Sequence, residues 1–359
     1  MKMSELFLLS AGAAAMASAS VPPAPAHHAD CTPKIKVHFA DNLVFLKTVP
    51  SGSVDLVYID PPFNTGRRQL RKRFHTENSE KISESSYGYD DSFDDFIGFI
   101  EPRMKEAHRI LKPSGSLFFH IDYREVHYCK VMLDGIFGRD SFINEIIWAY
   151  DYGARSKRKW SAKHDNILWY AKDPEKYTFN YDAMDRIPYM APGLVGPEKA
   201  ARGKTPTDVW WHTIVSPNSR EKTGYATQKP RGVIDRIVKI HSNPGDVVMD
   251  FFAGSGTLGE SAYLLGRNSI LVDCNRDAIA VMKRRFKGFN AEWTGCDDIS
   301  PAPPREEHAT NAEEERLPPK ASRVEYRRQR AGKRAGRDRT ADASQLEFQG
   351  MGGNVDVAE

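Results

Sequence analysis

The feature that most limits the fold is a strand-like run at 247–252, apolar except for Asp250, that leads straight into Ala253-Gly254-Ser255-Gly256-Thr257-Leu258-Gly259. A second apolar run at 270–273 follows and ends on Asp273, 19 residues after Gly254. Strand, glycine turn, helix and a second strand closing on an acid form the sequence signature of a nucleotide-binding βαβ unit. Its glycines let the backbone approach a nucleotide, and its closing carboxylate can bind a ribose diol. Further strand-like runs at 35–40, 54–59, 116–121 and 167–170 alternate with helical stretches, which predicts a mostly parallel α/β sheet covered by helices on both faces. The clearest helix is predicted over 93–111, where Phe96, Ile97, Ile100, Met104, Ala107, Ile110 and Leu111 recur at three- and four-residue steps before Pro113.

Asp250, at the end of the strand before the glycine turn, separates the candidate nucleotides. A carboxylate there repels the pyrophosphate of NAD and attracts the ammonium and sulfonium of S-adenosylmethionine. S-adenosylmethionine is therefore the expected cofactor. Far upstream, the buried-strand pattern at 54–59 runs into Asp60-Pro61-Pro62-Phe63. An exocyclic amine of adenine or cytosine is a poor nucleophile, because its lone pair is delocalised into the ring. Asp60 can accept one hydrogen bond from such an amine and the Pro61 carbonyl a second, while Phe63 offers a stacking face for a base turned out of the duplex. Alone, Asp-Pro-Pro reads first as a rigid turn after a strand.

Together, Asp-Pro-Pro-Phe-Asn-Thr at 60–65 and Asp-Phe-Phe-Ala-Gly-Ser-Gly-Thr at 250–257 resemble the S-adenosylmethionine-dependent DNA methyltransferases that modify exocyclic amines. The order, catalytic motif before cofactor motif, resembles their beta class. The resemblance covers roughly residues 34–298 and implies a Rossmann-like fold with permuted motif order. It implies that Asp60, Pro61, Pro62 and Phe63 are the catalytic tetrapeptide and that Asp41 meets the cofactor's adenine amine. Gln228, Lys229 and Pro230 of Thr-Gln-Lys-Pro at 227–230 lie, by the same resemblance, near the methionine end. Asp250, Phe252, Gly254, Gly256 and Thr257 complete the cofactor set, with Asp273 as the ribose acid where the family usually has Glu. Phe63 stands where Tyr is commoner, which keeps stacking and drops a phenolic hydrogen bond. Asp at the head of the tetrapeptide accompanies adenine more often than cytosine, so adenine N6 in double-stranded DNA is the expected target. Cytosine N4 is the alternative, and a DNA-binding regulator without turnover is a further one. Cytosine-C5 chemistry needs a nucleophilic cysteine after proline, and none of Cys31, Cys129, Cys274 or Cys296 follows one.

Two basic clusters are candidates for gripping phosphates: Arg67, Arg68, Arg71, Lys72 and Arg73, and Arg155, Lys157, Arg158 and Lys159 with Tyr152 and Trp160 interleaved nearby. Charge runs are also ordinary solvated surface. The formal net charge of +3 identifies no polyanion partner, so any such signal must come from clustering. Residues 173–222, rich in proline and containing Trp210 and Trp211, are the candidate target-recognition insertion, with an extended structural loop as the plain reading.

The domain organisation expected is a disordered leader at 1–33, a catalytic domain at 34–300 and a disordered charged tail at 301–359. Within the tail, residues 323–339 carry eight basic side chains against Glu325 and Asp338. The apolar run at 6–19 imitates a signal peptide, but Glu5 weakens its basic start. With four scattered cysteines and no Cys-x-x-Cys pair, a cytoplasmic protein without metal or membrane association is expected. A homodimer and a cognate restriction endonuclease are admissible partners.

Overall fold

The computed structural model describes residues 32–77, 80–153, 155–216 and 218–302, with residues 67–90 described by their backbone alone. The expected leader and tail, the basic run at 323–339 included, lie outside the described residues except at 32, 33, 301 and 302. The chain begins β1 (Ile35–Phe39), α1 (Asn42–Leu46), β2 (Val54–Ile59), β3 (Arg67–Glu77), β4 (Glu80–Asp91), α2 (Phe96–Ile110) and β5 (Leu111–Ile121). It continues through α3 (Val126–Phe137), β6 (Phe142–Ala149), β7 (His164–Ala171), α4 (Pro197–Arg202), β8 (Val209–Trp211) and α5 (Arg231–His241). Then follow β9 (Val247–Asp250), α6 (Thr257–Leu264), β10 (Asn268–Asp273), α7 (Arg276–Arg285) and β11 (Ala291–Thr294).

Nine of these strands form one sheet in the order β11-β1-β10-β9-β2-β5-β7-β6-β8. Every neighbouring pair is parallel except those made by β7, which runs against β5 and β6. The upstream and downstream motifs thereby become neighbours, because β2 pairs with β9 at Leu56↔Val248 and Val57↔Met249. β2 is buried at all its positions, as a central parallel strand must be when both faces are covered. Leu56 and Tyr58 point into a core shared with Ile234 of α5, Leu258 of α6 and Ile279 of α7. Val57 and Ile59 point the other way, into a core with Leu46 of α1, Met104 of α2 and Leu133 of α3. The expected α/β sheet with helices on both faces is what forms.

Boundaries moved for local reasons. α2 starts at Phe96 rather than 93, because the Asp95 carboxylate caps it by accepting the Gly98 N–H at 2.8 Å. β9 stops at Asp250, where the side chain accepts the Phe252 N–H at 2.9 Å and the chain leaves the strand direction. β3 and β4 form a separate antiparallel hairpin, with Arg67 opposite Asp91. Within 173–222 the chain makes α4 and then β8, which adds to the sheet edge beside β6 and buries Trp210. Among the described residues, no helix is long and apolar enough to cross a membrane.

Candidate active site

In a parallel sheet, ligands collect outside the carboxyl ends of the strands. Here β1, β10, β9 and β2 lie side by side, and Asp41, Asp273, Asp250 and Asp60 stand at or just beyond those ends. All four line one cavity of about 260 Å³, toward the small end for ligand pockets. Phe252, Gly254, Thr257 and Lys229 share the lining, and Pro62 and Tyr58 close its catalytic side.

At one end, Asp41 caps α1 by accepting the Val44 N–H at 3.0 Å and stands 3.7 Å from the Arg103 guanidinium. Arg103, nearly buried, donates to Asn42 Oδ1 at 2.6 Å and lies over the Phe99 ring at 3.8 Å. Burial pulls its pKa down, and the Asp41 charge opposes that. Sequence periodicity missed Arg103, which sits among the apolar positions of α2.

In the middle, burial pushes the Asp250 carboxyl well above the ordinary range, and the charges of Asp60 and Asp273 push it further. Asp273 is raised to about 6 by burial, although it accepts the Asn275 N–H at 2.8 Å and the Gly254 N–H at 2.7 Å. The expected ribose acid therefore also holds the glycine turn in place. Two acids whose charged forms are disfavoured together make a site that favours an incoming cation, and S-adenosylmethionine carries an ammonium and a sulfonium. The donor set fits that cofactor.

The two glycines of the turn differ. Gly254, with φ +49°, lines the cavity beneath Tyr225. Gly256, with φ +74°, is needed for packing, because a Cβ there would lie 2.7 Å from the Phe286 ring and 2.8 Å from Met282 Cγ. Gln228 is likewise turned to its own loop. Its Oε1 accepts from Thr223 N and Oγ1 at 2.7 and 2.8 Å, while its Nε2 donates to the Glu221 carbonyl at 2.7 Å. Pro230 caps the start of α5.

At the Asp60 end, Lys229 Nζ donates to both oxygens of Asp60 at 2.6 Å and lies 4.7 Å from the Phe63 ring centroid. Both side chains are largely buried, at 12% and 16% exposure, so solvent screens this pair weakly. The Asp60 turn is clamped from behind. Asn64 takes a left-handed φ of 52°, tolerable for Asn, and donates its N–H to Asp91 Oδ1 at 2.7 Å. Thr65 Oγ1 donates to Asp91 Oδ2 at 2.6 Å, Asn64 Nδ2 to Glu125 at 2.8 Å and the Phe93 N–H to Asn64 Oδ1 at 3.0 Å. Beneath the turn, Tyr58 Oη and His120 Nδ1 are 2.8 Å apart, and His120 Nε2 is 3.2 Å from Asp165. The His120 ring centroid lies 5.9 Å from that of Phe63. Of this support, the quoted 60–65 motif contained only Asn64 and Thr65.

The first basic cluster, Arg67 to Arg73, lies on β3 of the hairpin that Asp91 closes. The second, Arg155 to Lys159, lies on the loop between β6 and β7.

The N6/N4 methyltransferase family, described as DNA methylase, matches this chain over residues 54–284. A type II methyltransferase of Haemophilus parainfluenzae, M.HpaI, is 31% identical over 257 residues, covering 71% of this chain and 74% of that protein. The DNA adenine methyltransferase YhdJ of Escherichia coli (strain K12) is 30% identical over 259 residues, covering 68% of this chain and 80% of its own. Among solved structures, the cytosine-N4-specific PvuII DNA methyltransferase superposes with a TM-score of 0.52 at 17% identity, over 71% of this chain and 87% of that one. That likeness concerns the fold.

Proposed function

The chain belongs to the N6/N4 family of DNA methyltransferases, whose methyl donor is S-adenosylmethionine, and we propose that it methylates adenine N6 at specific sites in double-stranded DNA. The observation that carries this reading is Asp60, set at the end of β2 directly beside the Asp250 strand, where it lines the same cavity as Asp250 and holds the Lys229 ammonium. The cofactor supplies an electrophilic methyl group on sulfur. Asp60 accepts a hydrogen bond from the target amine and the Pro61 carbonyl accepts the second, which returns lone-pair density to the nitrogen. Phe63 stacks on the base. Bound in this cavity, S-adenosylmethionine would supply its methyl group to that nitrogen without a covalent enzyme intermediate and leave as the neutral thioether, and the proton the nitrogen gives up would pass to water. Lys229 must share or give up Asp60 when the amine arrives. Asp41, Asp250, Phe252, Gly254, Thr257 and Asp273 hold the cofactor, with Gln228, Lys229 and Pro230 shaping its methionine end and Gly256 fixing the turn.

The Asp at the head of the tetrapeptide supports adenine over cytosine. The type II names among the relatives support a restriction-modification setting with a cognate endonuclease, in the cytoplasm where DNA is available. Phosphates are held by Arg67, Arg68, Arg71, Lys72, Arg73, Arg155, Lys157, Arg158 and Lys159, and the target is read mainly by residues 173–222. Sequencing that reports modified bases, on DNA incubated with the protein and S-adenosylmethionine, tests the reading. N6-methyladenine at a defined motif is expected. N4-methylcytosine transfers the reading to cytosine, and unmodified DNA removes it.

A further inference from the structure

Trp160 is 98% exposed, the most exposed large apolar side chain among the described residues. Isolated exposed apolar residues are ordinary, but this one has a particular address. β5 and β7 pair through Ile121↔Asn166, and β6 and β7 through Ala149↔His164. The loop between β6 and β7 therefore emerges at the same edge of the sheet as the turn after β2 that bears Asp60 and Phe63. Contacts near its base reach the catalytic support: Tyr150 Oη donates to Asp165 at 3.0 Å, and Asp165 meets His120 beside Phe63.

The tip is shaped by its own hydrogen bonds rather than by burial. Tyr150 N donates to the Lys163 carbonyl at 2.9 Å, and the Lys163 ammonium bonds back to the Tyr152 carbonyl. Ser161 Oγ accepts the Ser156 N–H at 2.7 Å, while Ser156 Oγ accepts the Arg158 N–H at 3.1 Å. Lys159 Nζ lies 5.9 Å from the Tyr123 ring, which ties the tip to the chain leaving β5. Arg155 is paired with Asp151, but among the described residues Lys157, Arg158 and Lys159 have no carboxylate partner. A bare indole flanked by uncompensated cations suits a polyanion with flat apolar faces inside it, which is a duplex nucleic acid.

Resting on the DNA methyltransferase reading above, we propose that Trp160 enters the base stack of the duplex at the place the target base vacates. A target amine stacked inside a duplex is out of Asp60's reach, so the base must leave the helix, and that costs stacking and pairing. An aromatic wedge offsets the loss by stacking on the bases left behind, while Lys157, Arg158 and Lys159 hold the flanking phosphates. Because Trp160 touches little of the protein, replacing it should leave folding and cofactor binding intact.

The test compares wild type, Trp160→Ala and Trp160→Phe on a duplex whose methylated site has been mapped, and on the same duplex with the target placed opposite an abasic site. Trp160→Ala should lower kcat/KM on the paired duplex about tenfold or more, and Trp160→Phe should recover part of that. On the abasic-partner duplex, where the target is already loosened, the deficit should shrink to within about threefold. A Trp160→Ala enzyme as active as wild type on the paired duplex overturns the proposal. So does an equal loss on both duplexes, which makes Trp160 a general binding contact. A wild type for which no methylated site can be mapped in the first place overturns the underlying methyltransferase reading, and this proposal with it.

Discussion

The two ends of the active crevice treat their carboxylates differently. Asp250 and Asp273 are hydrogen-bonded by backbone N–H groups, and burial raises their pKa values. Asp60, one strand away, carries the Lys229 ammonium on both oxygens. The ligands explain the contrast. A cofactor bearing a sulfonium and an ammonium brings its own positive charge, so Asp250 and Asp273 hold no side-chain ion pair of their own, although the Lys229 charge reaches Asp250 as well. The proposed target amine is neutral, so Lys229 supplies the cation that balances the Asp60 carboxylate when no base is present.

The largest effect should come from removing the proposed catalytic acid. Asp60→Ala is expected to lower turnover at least about a hundredfold while cofactor binding, followed by calorimetry, persists. Near-normal methylation by that variant removes the catalytic half of the contrast. Asp250→Ala should weaken S-adenosylmethionine binding about tenfold or more, with the transfer rate at saturating cofactor less affected. A variant with wild-type affinity and slow transfer would reverse the assignment of the two ends.

The pH dependence is a gentler probe. Ionised Asp273 accepts hydrogen bonds from both hydroxyls of a ribose diol better than its protonated form does, and its folded pKa is about 6. Cofactor affinity should therefore rise severalfold from about pH 5 to about pH 7, and Asp273→Asn should flatten that rise. In the cofactor-free protein the same raised pKa acts the other way. Above the ordinary carboxylate value the folded state holds more protons than the unfolded chain, so this group's contribution to stability falls as pH rises toward 6. Smallest in functional terms is Gly256→Ala, which should cost about 1–3 kcal/mol of stability by crowding Phe286 and Met282. Thermal melting with and without cofactor separates that from a loss of binding.

The parallel core was legible because strands covered on both faces read as continuous apolar runs, as 54–59 does. The hairpin of β3 and β4 was not, since the Arg67–Arg73 stretch is crowded with charge and has no apolar alternation to betray a strand. Motif spacing located Asp60, Asp250 and Asp273, whose positions follow from strand ends. It was blind to the Lys229–Asp60 contact, which spans 169 residues and exists only because β2 and β9 are neighbours in the sheet. Arg103 escaped for another reason: a helix position that reads as part of a buried face gives no sign that its head group turns to a ligand cavity. Gly256 was legible as a glycine, but its cause, the close approach of α7, was not.

The contrast rests on Lys229 serving Asp60 more than the cofactor, and Lys229→Met measures that most directly. Calorimetric titration with S-adenosylmethionine should give an affinity within about threefold of wild type, while the single-turnover methylation rate on duplex DNA falls about tenfold or more. An affinity that collapses as it does in Asp250→Ala, with transfer at saturating cofactor unchanged, would place Lys229 on the cofactor and contradict the account.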